Sequence, residues 1–391
     1  MTDQTVTDAA RREQARLAGL RGQIDDLDHQ LVELLARRQK VVAEVVAFKK
    51  ERQLSVYHPA READMIDRRR RHALKVGLDP DYLEEIFRNI MRYSRSTQTA
   101  EISRIGVKPG AKILLVGGGG AMGRLFARWF KASGYEVRIL EVGDWERLAA
   151  LCSGLDMALV SVPIAETVAT IARLAPHLPK ECILADLTSV KEPTVKAMLD
   201  NFSGPVLGFH PMFGPDTPTM ERQIMVVTPG RERPENRWPA EQFAAWGGVV
   251  VRAAAAEHDE IMAVVQALRH FATFSFGRFL YQRRIDLNRT LEFSSPIYRL
   301  ELDMVGRLFA QDPELYSEII FATPERRDLL RNYLESCKNN LEILAAEEAV
   351  TGGGRDSFVA EFKEIAKWFG PFSDQAIRES GYLINKLIER F

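Results

Sequence analysis

Apolar residues in the first third of the chain fall at Leu17, Leu20, Ile24, Leu27, Leu31 and Leu34, then at Val41, Val45 and Phe48. Steps of three and four keep one stripe of a helix apolar. The pattern predicts one long helix over about 15–50 with a packed seam. Arg38 interrupts the series, a charge where the seam calls for an apolar side chain. Pro59 opens a second helical stretch, about 60–76. Asp79-Pro80 starts a third, about 80–98, with Pro80 at the first helical position, where a missing N–H is harmless. Residues 8–100 therefore read as entirely helical.

The period then shortens. Brief apolar runs recur at 112–116 (KILLV), 136–140, 157–162, 182–187, 205–209 and 224–228, the first four joined by helix-length stretches. Strand–helix alternation predicts a parallel sheet with helices on both faces. The stretch 229–240 (PGRERPENRWPA) is polar and proline-rich and reads as a surface loop. From about 257 the helical period returns, in segments 261–280, 297–311, 314–346, 357–369 and 373–391, with Gly352-Gly353-Gly354 as the strong break. The expected division is a helical domain over 8–103, a sheet domain over 110–255 and a second helical domain over 256–391.

A chain of 391 residues carries two or three domains on average. Lys+Arg is 53 against Asp+Glu 54, a net charge of -1, which gives no footprint for nucleic acid or for an anionic membrane. Hydrophobic content of 46% excludes wholesale disorder. Cys152, Cys182 and Cys337 are isolated, so neither a disulfide framework nor a cysteine metal site is expected. The opening MTDQTVTDAARREQARL lacks the apolar core of a signal peptide, and no run approaches the ~18 apolar residues of a membrane span. A cytoplasmic protein is expected.

Two motifs carry chemistry in the sheet region. After KILLV comes Gly117-Gly118-Gly119-Gly120-Ala121-Met122-Gly123, a G-x-G-x-x-G at 118, 120 and 123 between a strand and an amphipathic helix. In that context Gly118 serves the tight turn, Gly120 admits a pyrophosphate to the backbone and Gly123 allows close helix–strand packing. Met122 belongs to the same cofactor-binding stretch. Glu141 ends the next strand, about 20 residues on, where an acid accepts from the ribose 2′-OH and repels a 2′-phosphate. The cofactor expected is NAD. The second motif is Gly208-Phe209-His210-Pro211-Met212-Phe213-Gly214-Pro215. It places His210 at a C-terminal strand end, where open parallel sheets bind ligands, on a loop stiffened by prolines. Histidine suits the proton lost as C–OH becomes C=O. Nearby, Asp186-Leu187-Thr188-Ser189-Val190-Lys191 supplies a hydroxyl and a cation at a second strand end.

In the first helical region, cations lie at or beside the seam: Arg21, Arg38, Lys49 and Arg61. A buried cation is costly unless paired. Arg38 and Lys49 share one helix face at a separation of about 16 Å, suited to clamping a small dicarboxylate. Arg21 lies ~25 Å before Arg38 and ~40 Å before Lys49, too far to serve the same small substrate from one chain. The leucines around it would form an exposed apolar patch without a partner subunit. A shared site in a symmetric dimer follows. The run Arg68–Arg71 circles its helix and reads as a solvated face.

The segments GGGGAMGRLF, VSVPI, ADLTSVK, GFHPMFGPD, EHD, QALRHFATF and SSPIYRLELDMVGRLFAQDP resemble prephenate dehydrogenase over about 110–391. The resemblance implies oxidative decarboxylation of prephenate with NAD to 4-hydroxyphenylpyruvate. It assigns His210 the hydroxyl proton, Arg307 a substrate carboxylate and His270 a further site position. Ser189 would bond the substrate hydroxyl or His210, with Lys191 as a substrate-binding cation and His258 as a less secure position. The pattern LRGQIDDLDHQLVELLARRQKVVAEVVAFK, HPAREADMI and STQ resembles the all-helical chorismate mutases over about 15–100. Carried over, the site is Arg21, Arg38, Lys49, Arg61, Glu62 and Gln98, with Lys49 and Gln98 stabilising charge on the breaking ether oxygen. His58 departs from the pattern, since several stand-alone mutases carry aspartate there. The fusion resembles the bifunctional enzymes of tyrosine biosynthesis, which implies feedback by tyrosine and a homodimer. The expected fold is α plus α/β: an all-helical mutase domain, a Rossmann-type parallel sheet and a C-terminal all-helical dimerisation domain. Competing expectations are a dehydrogenase for arogenate, the amino analogue, or an NAD-binding regulatory protein with an inert helical dimerisation domain.

Overall fold

The computed structural model describes residues 3–51, 59–102, 106–348 and 353–388. Three helices come first: α1 (Asp3–Glu51), α2 (Pro59–Lys75) and α3 (Pro80–Ile102). At about 1.5 Å per residue α1 is roughly 73 Å long, longer than α2 and α3 can cover. Its C-terminal half packs on α3, where Val46, Ile66, Ala73 and Met91 are buried. Its N-terminal half carries the expected stripe, but Leu17, Leu20, Ile24, Leu27, Leu31 and Leu34 are all about half exposed or more.

The sheet domain runs β1 (Lys112–Val116), α4 (Ala121–Ala132), β2 (Glu136–Leu140), α5 (Leu148–Leu151), β3 (Met157–Val160), α6 (Ile164–Leu174), β4 (Ile183–Asp186), α7 (Glu192–Asn201), β5 (Val206–Pro211), β6 (Ile224–Arg231), α8 (Trp238–Ala245) and β7 (Val249–Arg252). Seven strands lie in the order β2-β1-β3-β4-β5-β6-β7, parallel except for the β5–β6 pair. Strands buried on both faces need apolar side chains on both, and β1 and β3 to β5 have them. One face packs Phe126, Phe130, Phe243 and Trp246, and the other Leu114, Ile171, Leu174 and Met198.

Two readings of the sequence change here. The stretch 229–240 is not all surface loop: β6 runs to Arg231, and α8 buries Trp238 against Tyr135, ring centroids 5.5 Å apart. The charges of Glu232, Arg233, Glu235 and Arg237 occupy the short connection between them, and Pro239 sits in the first turn of the helix, where proline is tolerated. Strand β7 is a further edge strand, hidden in the sequence because it is only four residues long and starts directly after Gly247-Gly248.

The last third is helical: α9 (Ala255–Met262), a single π-helical stretch over 263–268, α10 (Arg269–Gln282), α11 (Leu287–Glu292), α12 (Pro296–Phe309), α13 (Pro313–Phe321), α14 (Pro324–Glu348), α15 (Gly354–Phe369) and α16 (Pro371–Ile388). The expected helix over 314–346 is divided near Pro324, whose ring cannot continue α13. Among the described residues no helix is long and apolar enough to cross a membrane.

Candidate active sites

Strand order reverses about β1, which has β2 on one side and β3 on the other, and a crevice opens at their C-terminal ends. It holds a cavity of about 560 Å³ lined by Gly117, Gly120, Glu141, Trp145, Ser161 and Arg173, among others. The turn into α4 is made by Gly117, at φ 76°, and not by Gly118 as the motif count suggests. Gly118 is required for packing, since a Cβ there would lie 2.9 Å from Ile139 Cγ2. At Gly123 a Cβ would fall 2.4 Å from the Gly117 carbonyl oxygen. Gly120 caps α4 with only the Gly117 carbonyl oxygen within 3.2 Å of its missing Cβ, so the helix N-terminus stays approachable by a pyrophosphate. Glu141 lies at the rim and accepts from the Gly119 N–H at 2.5 Å. These residues fit a dinucleotide. Met122 is half-buried, and its side chain packs into the aromatic core. Arg173 covers the Trp145 ring at 3.9 Å.

His210 lies within β5, two positions from its glycine, and not on the following loop: it pairs with Val226 of β6 and is 2% exposed. Its Nδ1 is 2.8 Å from His258 Nε2, and Gln266 Nε2 is 3.2 Å from its Nε2. His258, in α9, bonds Asp259 Oδ1 through Nδ1 at 2.7 Å. Asp259 in turn accepts the N–H groups of Lys191 and Glu192 at 2.8 and 2.9 Å, capping α7 from another domain. Burial pushes the His210 pKa well below the ordinary histidine range, and the charges of Lys191 and Arg326 add to the shift. Burial works against ionising Asp259, but bonds from His258 and the two backbone N–H groups hold its carboxyl below the usual range.

Lys191 is fully buried, and its ammonium meets Asp186 Oδ2 at 2.5 Å. Thr188 donates to the same oxygen. Burial lowers the Lys191 pKa, and Asp186 opposes the shift. The residue expected to hold substrate therefore has its partner inside the protein. The Ser189 carbonyl accepts from Arg326 Nη2 at 3.3 Å, and Arg326, itself 1% exposed, also donates to the Ile319 carbonyl. His270 is buried in α10, edge-on to Tyr316, and burial with the Arg269 charge lowers its pKa to about 4. Arg307 lies exposed in the last turn of α12, which packs on α10. Asp186, Asp259, Gln266 and Arg326 were not singled out by the sequence.

In the first domain Arg38 is half-buried and points Nη1 at the neutral Ser94 hydroxyl, 2.5 Å away. Burial and the Arg69 charge lower its pKa. Arg21 and Arg61 are exposed. Lys49, Glu62 and Gln98 lie on α1, α2 and α3, but their side chains, like all of His58, lie outside the described residues. The arginine run is a solvated face: Arg68 and Arg71 pair with Asp64 and Asp67 one turn back, and Arg70 with Asp81 and Glu84.

Family profiles match this layout in order: chorismate mutase type II over residues 20–99, the nucleotide-binding domain of prephenate dehydrogenase over 136–250 and its dimerization domain over 254–364. The T-protein of Enterobacter agglomerans is 42% identical over 370 residues, 95% of this chain and 97% of its own. The T-protein of Haemophilus influenzae is 40% identical with the same coverage. The crystal structure of prephenate dehydrogenase from A. aeolicus, with hydroxyphenyl propionate and NAD+, shares the fold at a TM-score of 0.52 and 18% identity, over 66% of this chain and 99% of that one. The chain belongs to the T-protein family, bifunctional enzymes of tyrosine biosynthesis that join a chorismate mutase to an NAD-dependent prephenate dehydrogenase.

Proposed function

We propose that His210 removes the hydroxyl proton of prephenate in the dehydrogenase domain. The carrying observation is its buried ring, with Nδ1 bonded to His258 and Nε2 meeting, among the described residues, only the side-chain amide of Gln266. A depressed pKa keeps the ring unprotonated and able to accept. NAD, when bound at the glycine turn, supplies the hydride acceptor. Arg307 takes a substrate carboxylate, supported by its free access at the end of α12. His270, neutral in its pocket, lines the site, and the Ser189 hydroxyl bonds His210 or the substrate hydroxyl. Lys191 acts as a buried charge beside His210 and not as a ligand of substrate. Loss of the ring carboxylate makes the product aromatic, so a single modest base suffices.

The mutase needs no nucleophile. Arg38, held in a half-buried seam against a neutral hydroxyl and with no carboxylate partner among the described residues, is a cation suited to a chorismate carboxylate. Lys49 and Gln98 stabilise the breaking ether oxygen, with Arg61 and Glu62 at the ring. The exposed leucine stripe of α1 supports a homodimer in which Arg21 completes the partner's site. The division of the chain is 8–103, 110–255 and 256–391, the location cytoplasmic, and tyrosine a feedback inhibitor, the last on the family resemblance.

The test is His210→Asn, which keeps a hydrogen-bonding side chain but cannot take up a proton. Prephenate oxidation should fall about 10²–10⁴-fold, with NAD binding and mutase activity retained. Normal turnover of prephenate by this variant refutes the assignment.

A further inference from the structure

His210, His258, Asp259 and Gln266 form one line of hydrogen bonds, and its direction follows from the acid at one end. An ionised carboxylate accepts only. Asp259 takes two backbone N–H groups from α7, and its third contact, His258 Nδ1 at 2.7 Å, must therefore carry a proton. At the other end of the line the Gln266 side-chain amide nitrogen, a donor, meets His210 Nε2 at 3.2 Å, so His258 keeps the single proton that faces Asp259. With one proton, His258 presents a lone pair at Nε2, and His210 Nδ1, 2.8 Å away, must donate to it. That leaves the lone pair of His210 on Nε2. The Gln266 amide meets it through Nε2, and the atom left over, Gln266 Oε1, is buried without a partner. Gln266 comes from the π-helical stretch between α9 and α10, a local irregularity that recurs at functional sites.

We infer that Asp259 is a positioning residue of the dehydrogenase: through His258 it fixes His210 in the Nδ1–H tautomer, so that the Nε2 lone pair faces the substrate hydroxyl. Gln266 holds that lone pair until the hydroxyl takes its place. The inference rests on His210 being the proton acceptor. In the step itself the substrate O–H bond breaks and its proton moves to His210 Nε2. The imidazolium keeps Nδ1–H on His258, and Asp259 offsets the new charge across the intervening ring without taking a proton.

The decisive variant is Asp259→Asn. In the wild type Oδ1 accepts both the Lys191 N–H and the His258 Nδ1–H, and Oδ2 accepts the Glu192 N–H. An amide that turns its NH2 to His258 therefore keeps the Glu192 bond and gives up the Lys191 one. Both imidazoles then reverse, and His210 carries its proton on Nε2, where it cannot act as a base. The kcat for prephenate oxidation should fall about 10²–10⁴-fold, the range of general-base catalysis, with KM for prephenate and NAD affinity near wild type. Nitrogen NMR on histidine-labelled full-length enzyme reads the tautomer directly, the His210 signals being identified by their loss in His210→Asn. Wild type should show a protonated Nδ1 and a bare Nε2, and Asp259→Asn the reverse. Because Asp259 also caps α7, His258→Phe provides a second variant that leaves the cap intact. It should give a mixed His210 tautomer and a reduced kcat. A wild-type His210 protonated on Nε2, or Asp259→Asn with wild-type kcat while His210→Asn is inactive, overturns the inference and leaves the proton acceptor standing. An active His210→Asn removes the acceptor instead, whatever the tautomer.

Discussion

Lys191→Met leaves a shape close to the original but strips the buried pair of its cation. Both partners have fully buried side chains, and Asp186 Oδ1 is without a hydrogen-bond partner already, so the carboxylate has little else to turn to. The lysine stem also has no room to leave. A Cβ on Gly208 would sit 3.0 Å from its Cδ, which places the stem directly under β5. Breaking a buried pair from one side typically costs about 3–5 kcal/mol, against ~0–1 kcal/mol for an exposed one. For a domain of this size each kcal/mol moves the melting temperature about 2–4 °C, so a drop of about 6–20 °C is expected. Tryptophan fluorescence is the assay, since Trp129, Trp145, Trp238 and Trp246 all lie in the sheet domain and only Trp368 lies outside it. The double variant Asp186→Asn/Lys191→Met removes both charges and should recover most of the loss. A single-variant cost below about 1 kcal/mol would mean that water reaches the pair, and the account of a dry charge beside His210 would fail.

Other outcomes are open to simpler measurement. Glu141→Gln should narrow the preference for NAD over NADP in kcat/KM, because repulsion of the 2′-phosphate is lost; an unchanged ratio moves the ribose contact elsewhere. His270 binds its proton near 6.5 when unfolded and near 4 when folded, so the stability it confers is complete above pH 6.5 and is lost as pH falls through about 4. His270→Phe should therefore flatten the dependence of stability on pH between those values, and an unaltered slope in denaturant titrations would refute the shift. Arg21→Ala and Lys49→Ala should each abolish mutase activity, yet a mixed dimer carries both lesions in one site and should regain about half of wild-type activity in the heterodimer fraction. No recovery with heterodimers present rules out a shared site.

The features legible in the sequence were those written in periodicity or in local context. The seam of α1, the glycine turn after β1 and the acid ending β2 depend on neighbours within about 25 residues. Arg38 was visible because it broke a pattern. The residues around His210 were not, because they meet only through the fold: 48 positions separate it from His258 and 56 from Gln266. Asp259 looks like any acid near a helix start, and nothing in its own segment reveals that the helix it caps is α7, not α9. The burial of Lys191 was hidden for the same reason, since its partner lies five residues back but the strands that exclude water come from elsewhere.

Three carboxylate or guanidinium contacts tie the last domain to the sheet domain at the ends of its helices and loops. Asp259 caps α7, Glu318 accepts the first N–H of α6 at 3.1 Å, and Arg326 holds the Ser189 carbonyl. For protein engineering this makes the junction near residue 255 a poor place to cut. A chimera pairing this nucleotide domain with a foreign helical domain would fold each half around its own core. Its α6 and α7 would lose their caps, and its histidine would lose the acid that orients it. Substrate range in this scaffold is more safely altered by changing side chains on α10 and α12 than by exchanging domains, and the two domains are expected to have diverged together as one inherited unit.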